Sequence, residues 1–120
     1  MSSISLSRLK ASLFNSLRGL QAVFINEASF RLEVYCTPLV IIAAVLLSRS
    51  VIAFALLVFV WLQVLVVELL NSAIEMVADR FGSERHVLIG YAKDYASAAV
   101  FLMIVFAALV WLGYIIHVYL

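Results

Sequence analysis

Three uncharged, apolar stretches dominate the chain. They cover residues 34–48, 50–67 and 95–120 and contain 15, 18 and 26 residues. A helix needs about 20 residues to cross the roughly 30 Å hydrocarbon core of a bilayer. The first stretch reaches that length only with the charged turn before it, and the second only by continuing through Glu68 and Asn71. The pattern predicts an all-α membrane protein with three transmembrane helices, at about residues 30–48, 50–70 and 95–118.

Short polar segments join the predicted spans. Residues 48–50 alone separate the first span from the second, which requires a tight antiparallel hairpin. Residues 80–85 form the second connection. Pro38 falls inside the first span, where it removes one backbone donor and crowds the carbonyl group of Val34. We therefore expect either a kink or a late start of the first span at this position.

A different pattern marks about residues 5–25. Large apolar residues recur here at intervals of three or four, which is the stripe of an amphipathic helix. The members of the stripe are Leu6, Leu9, Leu13, Leu17, Leu20 and Phe24. A short, basic amphipathic helix beside a span typically lies flat on the membrane surface. We expect such an N-terminal surface helix here.

The basic residues are distributed unequally around the spans. Seven of the eight Lys and Arg residues precede the first span or lie between the second and third, and only Arg49 lies on the other side. Cytoplasmic loops carry an excess of Lys and Arg. The distribution predicts a cytoplasmic N-terminus and second loop, and a C-terminus on the other side of the membrane.

The overall composition narrows the function further. Hydrophobic residues make up 67% of the chain, and the net charge is only +1. Nucleic-acid-binding proteins usually show a clear basic excess, so we expect no nucleic-acid partner. The single cysteine, Cys36, excludes an internal disulfide.

Polar side chains form one ladder at the end of the second span. At 100° per residue, Glu68, Asn71, Glu75 and Asp79 share an arc of about 80° on a helix. Glu68 lies 18 residues after Ser50, or about 27 Å along the helix, close to the cytoplasmic edge of the membrane. Ionisable groups at this depth are costly and usually functional.

The carboxylates of this ladder repel one another and need a positive partner. Lys93, Arg80 and a divalent cation are the candidates. Carboxylate and amide oxygens suit Mg²⁺, which often binds through one or two carboxylates and the oxygens of a phosphate. Glu27 and Glu33 precede the first span on the same side, and Asp94 follows Lys93 there. These residue types predict a polar, metal-binding site at the cytoplasmic interface.

Longer motifs surround these residues. The second span ends in the string Glu68-Leu-Leu-Asn71-Ser72-Ala73-Ile74-Glu75-Met-Val-Ala78-Asp79. The flanking motifs are Asn26-Glu27-Ala28, Phe30-Arg31 with Glu33, Gly82-Ser83-Glu84 with His86, and Ala92-Lys93-Asp94 with Ser97. Together they resemble the bacterial diacylglycerol kinase family of small integral membrane kinases, and the resemblance covers nearly the whole chain.

The resemblance implies an enzyme that transfers the γ-phosphate of ATP to diacylglycerol and forms phosphatidic acid. It also implies Mg²⁺ as cofactor, a location in the bacterial inner membrane, and a homotrimer whose active sites are shared between neighbouring subunits.

Residue roles follow from the same resemblance. Glu68 is expected to be the general base, Asn71 to order the catalytic centre, and Glu27 and Glu75 to hold the metal. The nucleotide-binding set is Arg8, Glu27, Glu75, Glu84, Arg85, His86, Lys93 and Asp94. The lipid-binding set is Arg8, Phe30, Glu33, Glu68 and Ser97.

Two alternatives remain open at this point. An undecaprenol kinase would use the same fold on a different lipid alcohol. A small transporter with a carboxylate relay belongs to another class, and it predicts carboxylates near the middle of the bilayer. The carboxylates here gather at one end of the spans instead, which favours the kinase.

Overall fold

The computed structural model describes residues 3–81 and 87–120, and this part of the chain folds into four α-helices. In chain order they are α1 (Ser3–Asn26), α2 (Ala28–Leu47), α3 (Val51–Arg80) and α4 (Val87–Tyr119). The expected all-α fold is confirmed, because α2, α3 and α4 are each long and apolar enough to cross a membrane. At 1.5 Å per residue, α3 is about 45 Å long and α4 about 50 Å long, so both exceed the thickness of the hydrocarbon core.

The three long helices run antiparallel, with α3 in the middle. α3 packs against α2 on one side and more extensively against α4 on the other. Residues 48–50 connect α2 to α3, and the Ser50 hydroxyl caps α3 by accepting a hydrogen bond from the Ala53 N–H, at 3.0 Å. We call the end with this connection the hairpin end, and the opposite end, where α3 finishes, the carboxylate end.

Side chains of α4 fasten the hairpin end. The Tyr119 hydroxyl donates to the carbonyl oxygen of Leu47 at 2.6 Å, and the backbone N–H of Arg49 donates to the Tyr114 hydroxyl at 2.8 Å. The guanidinium group of Arg49 also lies 4.7 Å from the centre of the Tyr119 ring, in cation–π geometry. The last turns of α4 are thereby held against the α2–α3 connection.

Pro38 lies in the interior of α2, and the expectation of a late helix start is wrong. α2 begins at Ala28, ten residues before the proline, and is helical without a break to Leu47. A proline removes only one hydrogen bond of the helix ladder. The surrounding apolar residues keep the helix formed, because backbone groups in lipid have no water to bond.

A one-residue break separates α1 from α2. Glu27 has extended backbone angles, yet its N–H still donates to Val23 and its carbonyl oxygen accepts from the Arg31 N–H. The Arg31 guanidinium donates to the carbonyl oxygens of Phe24 and Ile25, at 2.8 and 2.9 Å. These are carbonyls at the end of α1, so a cation on α2 caps α1 and fixes the junction.

The chain buries little of its apolar surface. Its radius of gyration is 18.0 Å, whereas a compact domain of this length has about 14 Å. In the described part of the chain, Leu57 is the one large side chain that is fully buried. The leucine stripe of α1 is also exposed, as Leu13 and Leu17 show. Lipid or other protein chains must therefore cover these surfaces.

Candidate active site at the carboxylate end

One face of α3 changes from apolar to polar along its length. Leu57, Trp61 and Val64 lie on this face within the span, and the polar ladder continues it towards the carboxylate end. Glu68, Asn71 and Glu75 are half-buried, and Asp79 is exposed. The ladder predicted from the sequence is therefore formed on one uninterrupted helix, with its deepest member next to apolar residues.

Glu33 of α2 lies against Glu68 of α3. Their carboxyl groups are within hydrogen-bonding reach of each other, and one oxygen of Glu33 is buried without a donor from the described residues. Two carboxylates cannot donate to each other and repel unless a proton or a cation lies between them. The pair is therefore arranged to accept a positive group or a proton from a bound molecule.

Asn71 and Glu75 form the next layer of the ladder. The Asn71 side-chain nitrogen donates to Glu75 Oε1 at 3.4 Å, a long hydrogen bond. The Asn71 amide oxygen is buried and has no donor within the described part of the chain. A buried acceptor without a donor is costly. This layer can therefore take a further ligand.

An ion pair brings α4 to the ladder. Lys93 Nζ lies 3.0 Å from Asp79 Oδ1, with the two side chains 43% and 69% exposed. Exposed pairs of this kind contribute at most about 1 kcal/mol to stability. The pair confirms that the end of α3 and the beginning of α4 meet, and its weakness leaves the ammonium group able to change partner.

A small core holds α1 and α2 against α3 beside the carboxylates. It consists of Val23, Phe30 and Leu65, with Trp61 and Leu69 packed against it. Because Glu68 follows Leu65 by one turn, this core fixes the surroundings of Glu68. Phe30, expected on the lipid side, is 5% exposed and packs in this core.

Glu27 lines a cavity between α1 and α3. This cavity has a volume of about 540 Å³, and its lining includes Glu27, Ser16, Ser72 and Ala73. Glu27 makes no capping hydrogen bond to the α2 backbone, although it stands at the positive N-terminal end of that helix. Its carboxylate is therefore available to a ligand in the cavity.

An apolar cleft leads into the span from the Glu33 carboxyl group. It has a volume of about 600 Å³ and lies between α2 and α4, with α3 as its floor. Its lining is Glu33, Cys36, Leu39, Val40, Ala43, Trp61, Val64, Ile104, Ala107, Ala108 and Trp111. Glu33 is the only charged residue in that lining, so the cleft suits a hydrocarbon chain with a polar group at one end.

The other expected site residues are less closely gathered. Arg8 is exposed and lies eight residues before Ser16, about 12 Å along α1 from the cavity. Asp94 and Ser97 are exposed on α4, and Ser97 lies two turns before Ile104 on a similar face. Glu84, Arg85 and His86 lie outside the described residues. Within residues 3–81 and 87–120, no three His, Cys, Asp or Glu side chains are grouped to hold a metal.

Two residues that support the Glu33 side of the site, Thr37 and Trp61, are not identified by the sequence pattern. Trp61 Nε1 donates to Thr37 Oγ1 at 3.0 Å, and Thr37 Oγ1 donates to the carbonyl oxygen of Glu33 at 2.8 Å. The only sequence signal was a polar residue inside a predicted span next to Pro38. That signal does not identify a partner on another helix.

Comparison with known proteins agrees with this arrangement. The sequence profile of the prokaryotic diacylglycerol kinase family matches residues 14–115. A diacylglycerol kinase of Escherichia coli K12 is 47% identical over 96 residues, which are 80% of this chain and 79% of the relative. One from Haemophilus influenzae is 42% identical over 108 residues, 90% of this chain and 92% of the relative. One from Helicobacter pylori is 38% identical over 113 residues, 94% and 88% of the two chains.

The matched region contains α2, α3 and α4 almost completely, together with all the carboxylates described above. The resemblance found in the motifs is thereby confirmed. The chain belongs to the prokaryotic diacylglycerol kinase family, a family of lipid kinases.

Proposed function

We propose that this chain is an ATP-dependent diacylglycerol kinase that forms phosphatidic acid at the cytoplasmic face of the bacterial inner membrane. The observation that carries the proposal is the Glu33–Glu68 pair at the polar end of the apolar cleft. A diacylglycerol with an acyl chain in this cleft would present its free hydroxyl to the two carboxylates. The names of the relatives support diacylglycerol as the lipid.

Glu68 is the proposed general base. It accepts the proton of the lipid hydroxyl, the oxygen forms a bond to the γ-phosphorus of ATP, and the bond between that phosphorus and the β–γ bridging oxygen breaks to release ADP. Phosphoryl transfer depends mainly on positioning and charge stabilisation and needs little covalent chemistry from the protein. One well-placed carboxylate that accepts the proton is therefore enough. Glu33 holds the hydroxyl beside Glu68. Asn71 orients Glu75, one turn further along α3, through the hydrogen bond between them.

The nucleotide is proposed to bind beyond the carboxylates. Lys93 can exchange its weak contact with Asp79 for a phosphate oxygen. Asp94 directly follows Lys93, and Glu84, Arg85 and His86 precede it by seven to nine residues; these four residues are proposed to bind the nucleotide as well.

Glu27 and Glu75 are proposed to hold Mg²⁺. The donor set fits, because Mg²⁺ often takes one or two carboxylates and fills its other positions with water and phosphate oxygens. The unpartnered oxygen of Asn71 beside Glu75 is a further oxygen donor in this layer. Bound there, Mg²⁺ would neutralise the phosphates of ATP.

The proposed orientation places this end of the bundle in the cytoplasm, where ATP is present. The distribution of basic residues supports it, since only Arg49 stands at the hairpin end. The exposed leucines of α1 support a surface helix lying in the membrane interface, where it would roof the site.

A homotrimer with shared sites is part of the proposal. The loose packing of one chain supports it, as does the position of Arg8, about 12 Å along α1 from the cavity that Glu27 lines. In a trimer Arg8 can reach the site of a neighbouring subunit.

The substrate is tested by supplying diacylglycerol and undecaprenol side by side to the purified chain with radiolabelled ATP and Mg²⁺. We expect label in phosphatidic acid. Label only in undecaprenyl phosphate would replace the proposed substrate, and label in neither lipid would refute the lipid kinase activity.

A further inference from the structure

α2 contains a weak turn directly below Glu33. Pro38 has no N–H, so the carbonyl group of Val34 loses its usual donor four residues ahead. Glu33 stands on one side of this turn, and the part of α2 that crosses most of the membrane stands on the other. The backbone of α2 alone therefore constrains the position of Glu33 less firmly than a regular helix would.

The packing around this turn is mostly apolar. Val34, Ile41 and Pro38 of α2 face Leu62 and Leu65 of α3 across a shallow groove of about 710 Å³. The hydrophobic effect that favours these contacts is non-directional. A hydrogen bond between α2 and α3 therefore adds a directional constraint on where Glu33 lies relative to Glu68.

Thr37 and Trp61 supply that directional contact. The indole N–H of Trp61 donates to the Thr37 hydroxyl, and this hydroxyl donates to the carbonyl oxygen of Glu33 itself. Two hydrogen bonds thus connect α3 to the residue whose carboxyl group contacts Glu68. Trp61 is also anchored by packing against the core of Val23, Phe30 and Leu65.

We propose that Thr37 and Trp61 are positioning residues that hold Glu33 against Glu68 across the proline-weakened turn. They set how well the lipid hydroxyl is oriented by acting through Glu33, and neither touches the nucleotide side of the site. Trp61 also lines the apolar cleft, whereas Thr37 does not, so Thr37 carries the sharper test. This inference rests on the proposed lipid kinase function and adds two residues to it.

The test measures the kinetic constants for diacylglycerol and for MgATP separately. Thr37→Val replaces a hydroxyl by a methyl group, keeps the volume and suits the membrane interior, so the variant should fold. We expect kcat/KM for diacylglycerol to fall at least about 5-fold, because the Thr37 hydroxyl takes part in both hydrogen bonds and the loss of one alone has about this effect. The KM for MgATP should stay at the parent value. Thr37→Ser keeps the hydroxyl and should restore most of the activity.

Trp61→Phe removes the other partner of the same hydrogen bond. If the two residues act as one unit, the double variant with Thr37→Val and Trp61→Phe should lower kcat/KM for diacylglycerol little more than the more damaging single substitution does. Tyr119→Phe is the matched control, because it removes a hydrogen bond between α4 and α2 at the hairpin end. It should leave the KM for diacylglycerol unchanged.

Two results would overturn the inference. One is full diacylglycerol kinetics in Thr37→Val. The other is a rise in both KM values together with a lower unfolding temperature, which would show a general structural role. Neither result would touch the proposed function, which is tested separately by whether the parent chain phosphorylates diacylglycerol.

Discussion

At the scale of single residues, Glu68 has two unlike neighbours. A second carboxyl group, that of Glu33, lies beside it, and apolar residues lie one turn below it. Such a setting is suited to receiving a proton from a bound alcohol, because the alcohol brings a donor to a buried Glu33 oxygen that has none among the described residues.

The first prediction concerns Glu68→Gln. The substitution removes the proposed base, so kcat should fall at least about 10²-fold. The unfolding temperature should stay equal or rise, because one of two repelling carboxyl groups becomes neutral. Kinase assays and thermal unfolding in detergent measure the two effects. A folded variant with full turnover would remove the general-base assignment.

The second prediction concerns Lys93→Ala. Loss of a charged contact to phosphate should raise the KM for MgATP at least about 10-fold. Asp79→Asn is the matched control, because it breaks the same ion pair and leaves Lys93 in place. It should change the free energy of unfolding by less than about 1 kcal/mol and leave the KM for MgATP close to the parent value. An equal rise of KM in both variants would show that the ion pair, rather than the ammonium group, matters.

At the scale of elements, the junction between α1 and α2 depends on one cation. Arg31 bonds two carbonyl groups at the end of α1 while it belongs to α2. Because α1 makes its main contacts with α2, the direction in which α1 leaves the bundle is set largely by this residue and by the packing of Val23.

The third prediction follows from this junction. Arg31→Gln should lower the free energy of unfolding by about 2 kcal/mol, since it loses hydrogen bonds from a charged group. The free energy of unfolding of Arg31→Lys should lie between those of Arg31→Gln and the parent. A lysine keeps the favourable charge at the helix end but has a different donor geometry. Denaturant titration in detergent gives these values, and equal stability of all three proteins would contradict the role of the cap.

The elements themselves were largely predictable. Long apolar stretches identify helices in lipid, and a period of 3.6 residues is enough to gather Glu68, Asn71, Glu75 and Asp79 on one face. The early start of α4 at Val87 was missed, because counting apolar residues locates the span and not the helical turns that project beyond it.

Contacts between helices were not predictable in the same way. The bond from Trp61 to Thr37 joins residues 24 positions apart, and its existence depends on how far α2 is shifted along α3. No local pattern encodes that shift. The same holds for the Glu33–Glu68 pair, whose two members were each expected at the cytoplasmic side without being expected to touch.

At the scale of the whole molecule, one chain leaves much of its apolar surface exposed. Its three long helices form an open arrangement in which α2 and α4 are separated by the cleft. Lipid can cover the outer faces, but the polar ladder needs partners that lipid tails do not provide.

The fourth prediction is therefore a trimer with shared sites. Cross-linking in membranes should give a largest product of three chains of 13.3 kDa each. Co-expression of equal amounts of Glu68→Gln and Arg8→Ala should restore about a quarter of parent activity, the share of sites that receive both intact residues from two different subunits by random mixing. Activity no higher than that of the single variants would show that each site uses one chain only.

The two ends of the bundle are fastened by different kinds of interaction. Tyrosine hydroxyls and a stacked guanidinium hold the hairpin end, whereas an exposed ion pair joins α3 to α4 at the other end. Salt screens an exposed ion pair strongly and neutral hydrogen bonds weakly. A higher salt concentration should therefore weaken the contact between α3 and α4 at the carboxylate end and leave the hairpin end unchanged.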